Sequence, residues 1–205
     1  MHKPVLGLIG GIGSGKSRVA AELVRHGGAI IAGDHLGHEG LRQADIKARV
    51  VERWGKGILD DEGEVNRRVL GERVFAKVAE LRALETLLFP WIERRIGEEI
   101  AAGQQDPAVK FLVLDAAVML EAGWDRFCDR VIFVEAPRSV RLERLARQRN
   151  WNEEEVSRRE QAQKPLTDKK ARADALVDNS GALGQLTSQV ADVLQRLGLE
   201  PSGTV

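Results

Sequence analysis

The order of apolar and polar positions divides the chain into short unbroken runs and longer periodic segments. Val5 to Ile9 is a continuous apolar run between Pro4 and Gly10, a pattern that predicts a strand buried on both faces. From Ser17 to Arg25 the period changes, and Val19, Ala20, Leu23 and Val24 fall on one face of a helix. "GGAII" predicts a second strand, ended by Gly33-Asp34. "VKFLVLDA", "RVIFVEA" and the shorter "DALVDN" predict three more. A charged, helix-patterned region runs from about Leu36 to Ala102, and Pro90 is expected to bend or break it before a loop, "AGQQDP". Arg138 to Asn150 reads as a basic helix. Asn152 starts another, with Glu155 three residues on as in a capping box. Ala182 to Leu197 is amphipathic, and the tail "GLEPSGTV" is expected to fray. Strands alternating with helices predict an α/β fold, a mostly parallel sheet with helices on both faces.

Composition narrows the function classes. The 205 residues suit one domain, and 43% hydrophobic with 30% charged residues is a soluble globular balance. Lysine plus arginine and aspartate plus glutamate number 31 each, so no global field draws the chain to nucleic acid or membrane. Cys128 is the sole cysteine, so no internal disulfide can form; beside an apolar run it reads as a passive thiol. No apolar stretch approaches the roughly 20 residues needed to span a bilayer. The N-terminus shows no cleavage-like site, so a cytoplasmic protein without a signal peptide is expected. His2, His26, His35 and His38 show no zinc-ligand spacing.

The chemistry concentrates where the first strand meets the first helix. Gly10-Gly11-Ile12-Gly13-Ser14-Gly15-Lys16-Ser17 fits G-x-x-x-x-G-K-[ST], with a strand before it and a helix after. Glycines let the backbone turn tightly and aim N–H groups inward. The helix start adds unpaired N–H groups and the positive end of its dipole. Lys16 can reach the outer phosphates of a bound nucleotide, and the Ser17 hydroxyl is placed to ligate Mg²⁺. The loop is a cradle for a polyphosphate. Asp34, after the second strand, can serve an acceptor hydroxyl or Mg²⁺, or equally cap the next helix. Among Arg144, Arg147, Arg149, Arg158 and Arg159, one or two can meet phosphate, while the rest suit a solvated face of Arg–Glu pairs. His35 and His38 follow Asp34 and read as surface residues.

Between about Val5 and Gly181 the ordered segments resemble the dephospho-CoA kinase family. "GGIGSGKS" matches its phosphate-binding loop. Gly63, Arg67, Leu70 and Phe75 resemble its G-x-x-x-R-x-x-L…F stretch, "LETLLFPWI" its L-E-x-L-L-H-P-x-I segment and "AVMLE" its P-L-L-F-E segment. Arg159, Gln163, Lys169, Ala173-Asp174 and "DNSG" fall at the family's intervals. Ala32 stands for the first aspartate of the family's D-A-D, Phe89 for a histidine, Ala117 for a proline, Ile9 for a threonine and Gln148 for a second lid arginine. Most of these departures fall on the side expected to hold the acceptor.

The resemblance implies a P-loop kinase-like domain over residues 1–205. Its core would be about 1–35, 108–140 and 174–200, with a helical acceptor region about 36–105 and a mobile helical lid about 144–172. It implies ATP-dependent phosphorylation of the ribose 3′-hydroxyl of dephospho-CoA, with Mg²⁺. Asp34, Lys16 and Arg144 would be catalytic. Gly11, Ile12, Gly13, Ser14, Gly15, Lys16, Ser17, Arg18, Asn179 and Gly181 would bind ATP, with Ser17 on the metal. Arg67, Phe89 and Glu121 would hold the acceptor. The expected partners are ATP and dephospho-CoA, without nucleic acid or membrane, on a monomer or weak homo-oligomer. Another nucleotide or small-molecule kinase is the alternative. A nucleotide switch has only the lone D-x-x-G of "DDEG" and no N-K-x-D.

Overall fold

A computed structural model describes residues 2–200. Five parallel strands form one sheet: β1 (Val5–Gly10), β2 (Gly28–Ala32), β3 (Phe111–Asp115), β4 (Arg130–Glu135) and β5 (Ala175–Asp178), in the order β2-β3-β1-β4-β5. The predicted α/β class and all five predicted strands are present. Period-two alternation sorts their side chains. Leu6, Leu8, Phe111, Val113, Ile132, Val134 and Val177 share one core with α1 (Lys16–Arg25) and α9 (Leu183–Arg196), through Val19, Ala20 and Leu23 on α1 and Leu186, Val190, Val193 and Leu194 on α9. Opposite-phase residues Val5, Ile9, Leu112, Leu114, Val131 and Phe133 are buried as well, as a sheet covered on both sides requires. On that side a Cβ at Gly7 would lie 2.7 Å from the Cys128 Sγ and 2.8 Å from the Met119 Cε, so the cysteine packs directly on the β1 backbone.

The chain divides into two compact units. One comprises the chain up to Ala32 and again from Glu98; the other is Gly33–Gly97. The second unit is helical, with α2 (Gly33–Arg42), α3 (Ala44–Trp54), α4 (Arg67–Val74) and most of α5 (Val78–Gln105). Asn66 caps α4, its side chain accepting from the N–H groups of Arg68 and Val69.

Pro90, expected to bend or break the helical region, does not break it: α5 spans 28 residues with the proline inside. The apolar positions Leu88, Ile92 and Ile96 are buried on either side of the proline, and that packing outweighs one lost backbone bond. Nor is "AGQQDP" a free loop: the helix runs on to Gln105. The Lys3 Nζ donates to the Gly103 carbonyl at 2.9 Å and to that of Asp106. Gln104 exchanges two bonds with the Lys3 backbone, so the N-terminal segment satisfies the helix end.

After β4 come α6 (Arg138–Arg149), α7 (Glu153–Gln161) and α8 (Leu166–Ala171). Asn150 closes α6 in the left-handed conformation at φ 53°. Asn152 caps α7 by accepting from the Glu155 N–H at 2.8 Å, at the predicted position. Of the tail expected to fray, Gly198 and Leu199 instead fold back by backbone bonds to Gln195 and Leu194, and Leu199 packs on the core. Residues 201–205 of that tail lie outside the described residues.

Candidate active site

The loop between β1 and α1 has the conformation its glycines predict. Gly13 and Gly15 stand at φ 78° and 85°, a region that side chains with a Cβ rarely enter. Gly15 is also the N-cap of α1; it offers no side chain to the first turn, and its carbonyl accepts from the Arg18 N–H at 2.9 Å. A Cβ there would sit 2.2 Å from the Asn179 Nδ2. Ser14 is buried, its hydroxyl without a hydrogen-bond partner among the described residues, whereas the Ser17 and Arg18 side chains are exposed on the first turn of α1.

Groups far apart in sequence converge on this loop. The Asn179 Nδ2 donates to the Ser14 carbonyl at 2.8 Å. The Arg144 Nη1 reaches the same carbonyl at 3.3 Å while its Nη2 donates to the Asn179 carbonyl at 2.7 Å. The Arg18 Nη1 donates to the Asn179 Oδ1 at 3.4 Å. Thus Gly11 to Arg18, Arg144 and Asn179 are assembled as one cluster. Gly181 lies beyond the Asn179 turn, exposed at the start of α9, where the Gln185 Oε1 accepts from the Ala182 N–H at 3.3 Å. The other basic residues of this region pair locally: Arg147 with Glu143 at 2.7 Å, Arg158 with Glu155 at 3.0 Å, and Arg159 with Glu155 at 2.7 Å. Arg149 and Arg159 flank the Trp151 ring at 4.9 and 4.2 Å.

Sequence reading passed over two residues here. Asp115 ends β3 in register with Leu8 of β1 and Ala32 of β2, at the sheet edge where the loop emerges. A carboxylate closing an apolar strand was its available signal. Arg141 is only 3% exposed and donates to the Ile12 carbonyl at 3.1 Å. It was indistinguishable in sequence from its exposed neighbours.

Glu121 and Lys169 form a buried ion pair at 3.0 Å. The Lys169 Nζ also donates to the Gln163 Oε1 at 2.9 Å, and the Glu121 Oε1 accepts from the Lys164 N–H at 2.8 Å. The cluster ties the segment after β3 to the start of α8. Cys128 is removed from chemistry, because burial, with Asp125 and Asp129 nearby, pushes its thiol up to about 12.

In the Gly33–Gly97 unit, Asp34 is exposed in the first turn of α2. His35 and His38 belong to the same helix, which begins at Gly33 without an intervening loop. His35 pairs with Glu39 at 3.1 Å. The Arg67 guanidinium contacts the His38 ring at 2.5–2.6 Å. Partial burial and then the Arg67 charge hold the His38 imidazole below its ordinary value, against the opposing pull of Asp34. Asp34, His38 and Arg67 therefore share one electrostatic neighbourhood. Phe89 is half-buried on α5.

A parallel five-stranded sheet with a G-x-x-x-x-G-K-S loop opening into a helix defines the P-loop nucleotide-binding fold, and a Sinorhizobium meliloti gluconokinase shares this fold at a TM-score of 0.52 and 17% identity, covering 96% of this chain and 94% of that one. Residues 4–185 match the family described as dephospho-CoA kinase. The chain belongs to that family. A Bacillus licheniformis dephospho-CoA kinase is 35% identical over 195 residues, 93% of this chain and 94% of that one. A Thermobifida fusca dephospho-CoA kinase is 35% identical over 193 residues, 94% and 95% of the two chains. A solved Thermus thermophilus protein superposes with a TM-score of 0.78 at 30% identity, covering 96% of this chain and 99% of that one.

Proposed function

We infer that the chain transfers the γ-phosphoryl group of ATP to the ribose 3′-hydroxyl of dephospho-CoA, giving ADP and coenzyme A. The observation that carries this reading is the family match over residues 4–185. The ATP half is supported independently by the loop. Its backbone N–H groups and the N-terminus of α1 suit a polyphosphate, and Lys16 adds a cation at the outer phosphates. Arg144 stands between the loop and the Asn179 turn, where its charge adds to the cradle and its donors hold the two together.

Magnesium fits the donor set. The Ser17 hydroxyl and the Asp115 carboxylate are hard oxygen ligands of the kind it takes. When bound, it neutralises charge across the β- and γ-phosphates.

Asp34 is the proposed base for the acceptor hydroxyl. It follows β2 by two residues, is exposed, and corresponds to the family's second aspartate. Arg67, beside His38, and Phe89 are the proposed acceptor contacts on the helical unit. Glu121, the third proposed acceptor contact, holds the start of α8 through its Oε1, which meets Lys169 and the Lys164 N–H, while its Oε2 has no hydrogen-bond partner among the described residues. Among the described residues no helix is long and apolar enough to cross a membrane. We place the reaction in the cytoplasm, on small-molecule substrates.

The test is ADP release with ATP and Mg²⁺ across a panel of alcohol acceptors, with coenzyme A identified by mass. Turnover on dephospho-CoA far above the acceptor-free rate is expected. ADP release driven by a sugar or nucleoside and not by dephospho-CoA would transfer the reading to another kinase on this fold.

A further inference from the structure

We propose that Arg141 is a positioning residue of the phosphate cradle and that Glu160 ties it to α7, so that the loop and α7 are coupled through one guanidinium. Arg141 sits in the first half of α6, and its Nη1 donates both to the Ile12 carbonyl and to the Glu160 carboxylate. The guanidinium lies against the loop itself. A Cβ at Gly11 would come within 2.9 Å of its Nη1 and 3.1 Å of its Cζ, and one at Gly13 within 2.9 Å of the Arg141 carbonyl.

The consequence follows from peptide geometry. The Ile12 carbonyl and the Gly13 N–H belong to one planar trans unit and point in opposite directions. Holding the carbonyl toward α6 turns the Gly13 N–H to the other side of the loop. The Ser14 carbonyl, held by Asn179 and Arg144, turns the Gly15 N–H in the same way. Two alternate peptides are thus pinned from behind, as a nest of converging N–H groups requires.

The Glu160 contact makes this arrangement sensitive to α7. Arg141 is buried, and its Nε has no hydrogen-bond partner among the described residues. A buried cation is costly without its counter-ion. Glu160 supplies that counter-ion from α7, and it also lies 3.6 Å from the Arg138 Nε. Arg138 in turn bonds Glu153 and the Ser157 hydroxyl, so the α6–α7 clasp and the loop share Arg141. If α7 shifts, the guanidinium loses its carboxylate, and the orientation of the Ile12–Gly13 peptide loosens with it.

The proposal rests on the loop binding ATP, and the experiment separates the two. ATP affinity, kcat and both KM values are measured on full-length wild type, Arg141→Met, Arg141→Lys, Glu160→Gln and the Arg141→Met/Glu160→Gln double variant, each checked for folding by circular dichroism. Arg141→Met is expected to weaken ATP at least about 10-fold while the acceptor KM stays within about twofold. Glu160→Gln is expected to weaken ATP about 3-fold or more. The double variant should be no worse than Arg141→Met alone, because Glu160 acts through Arg141. Should Arg141→Met fail to fold, Arg141→Lys, which keeps charge without the guanidinium fork, and Glu160→Gln decide by the same criterion. ATP affinity within twofold of wild type in folded variants, equal losses on both substrates, or additive losses in the double variant overturn the coupling. Wild type that binds no ATP overturns the reading of the loop itself.

Discussion

At the scale of single residues, catalysis and packing make different demands on side chains that look alike in sequence. Asp34 is the second residue of α2, not its N-cap, and there asparagine costs only about 0.3–1 kcal/mol of helix-dipole stabilisation. A base, by contrast, needs the carboxylate. Asp34→Asn is therefore expected to lower kcat on dephospho-CoA by about 10²–10⁴-fold with ATP affinity little changed, measured on one purified protein. Near-normal turnover would leave Asp34 a structural residue of the first turn of α2. Cys128 illustrates the opposite case. With its thiol pushed up to about 12 from an ordinary 9.0, the thiolate fraction at pH 8 falls by about three orders of magnitude. Alkylation of the native protein by iodoacetamide should be slower than that of a free cysteine by about 10³-fold and recover in urea. Fast native alkylation would contradict the packing of Cys128 on the β1 backbone.

At the scale of elements, helix ends and short helices depend on partners from elsewhere in the chain. The last turn of α5 is completed by Lys3, about a hundred residues away in sequence. The six-residue α8 is too short to hold itself, and Lys169 anchors it to Glu121 and Gln163. Removing one partner of a buried pair strands the other charge. Lys169→Met should thus cost about 3–5 kcal/mol, seen as a lower urea midpoint. The Glu121→Gln/Lys169→Met pair should recover much of that loss, since no unpaired charge remains. A single variant as stable as wild type would show that the pair contributes nothing to holding α8.

At the scale of the whole molecule, ligand binding adds to folding stability by mass action. A nucleotide at about 100 times its Kd adds about 2.7 kcal/mol, and for a chain of this size that raises Tm by about 5–10 °C. ATP with Mg²⁺ should produce that shift in wild type at such a ratio. Lys16→Ala, which removes a charge at the cradle, should lose turnover and most of the shift at the same ATP concentration while its ligand-free Tm stays near wild type. A full shift in Lys16→Ala would mean that the loop does not depend on its lysine.

Much of this molecule was legible because its signals are local. Five apolar runs became five strands; Asn152 capped α7; and the glycine-rich loop turned tightly, with Gly13 and Gly15 at positive φ. Periodicity, capping and glycine conformations act within a few residues, so sequence alone determined them and, with them, the α/β class and the phosphate cradle. The strand order β2-β3-β1-β4-β5, the passage of α5 through Pro90 and the pairing of Glu121 with Lys169 were decided by tertiary structure. So was the choice of Arg141, among many arginines, to hold the Ile12 carbonyl 129 residues away. Their common reason is physical. Each depends on burial and on which distant group occupies the adjoining space, and neither quantity is carried by the residues flanking the position.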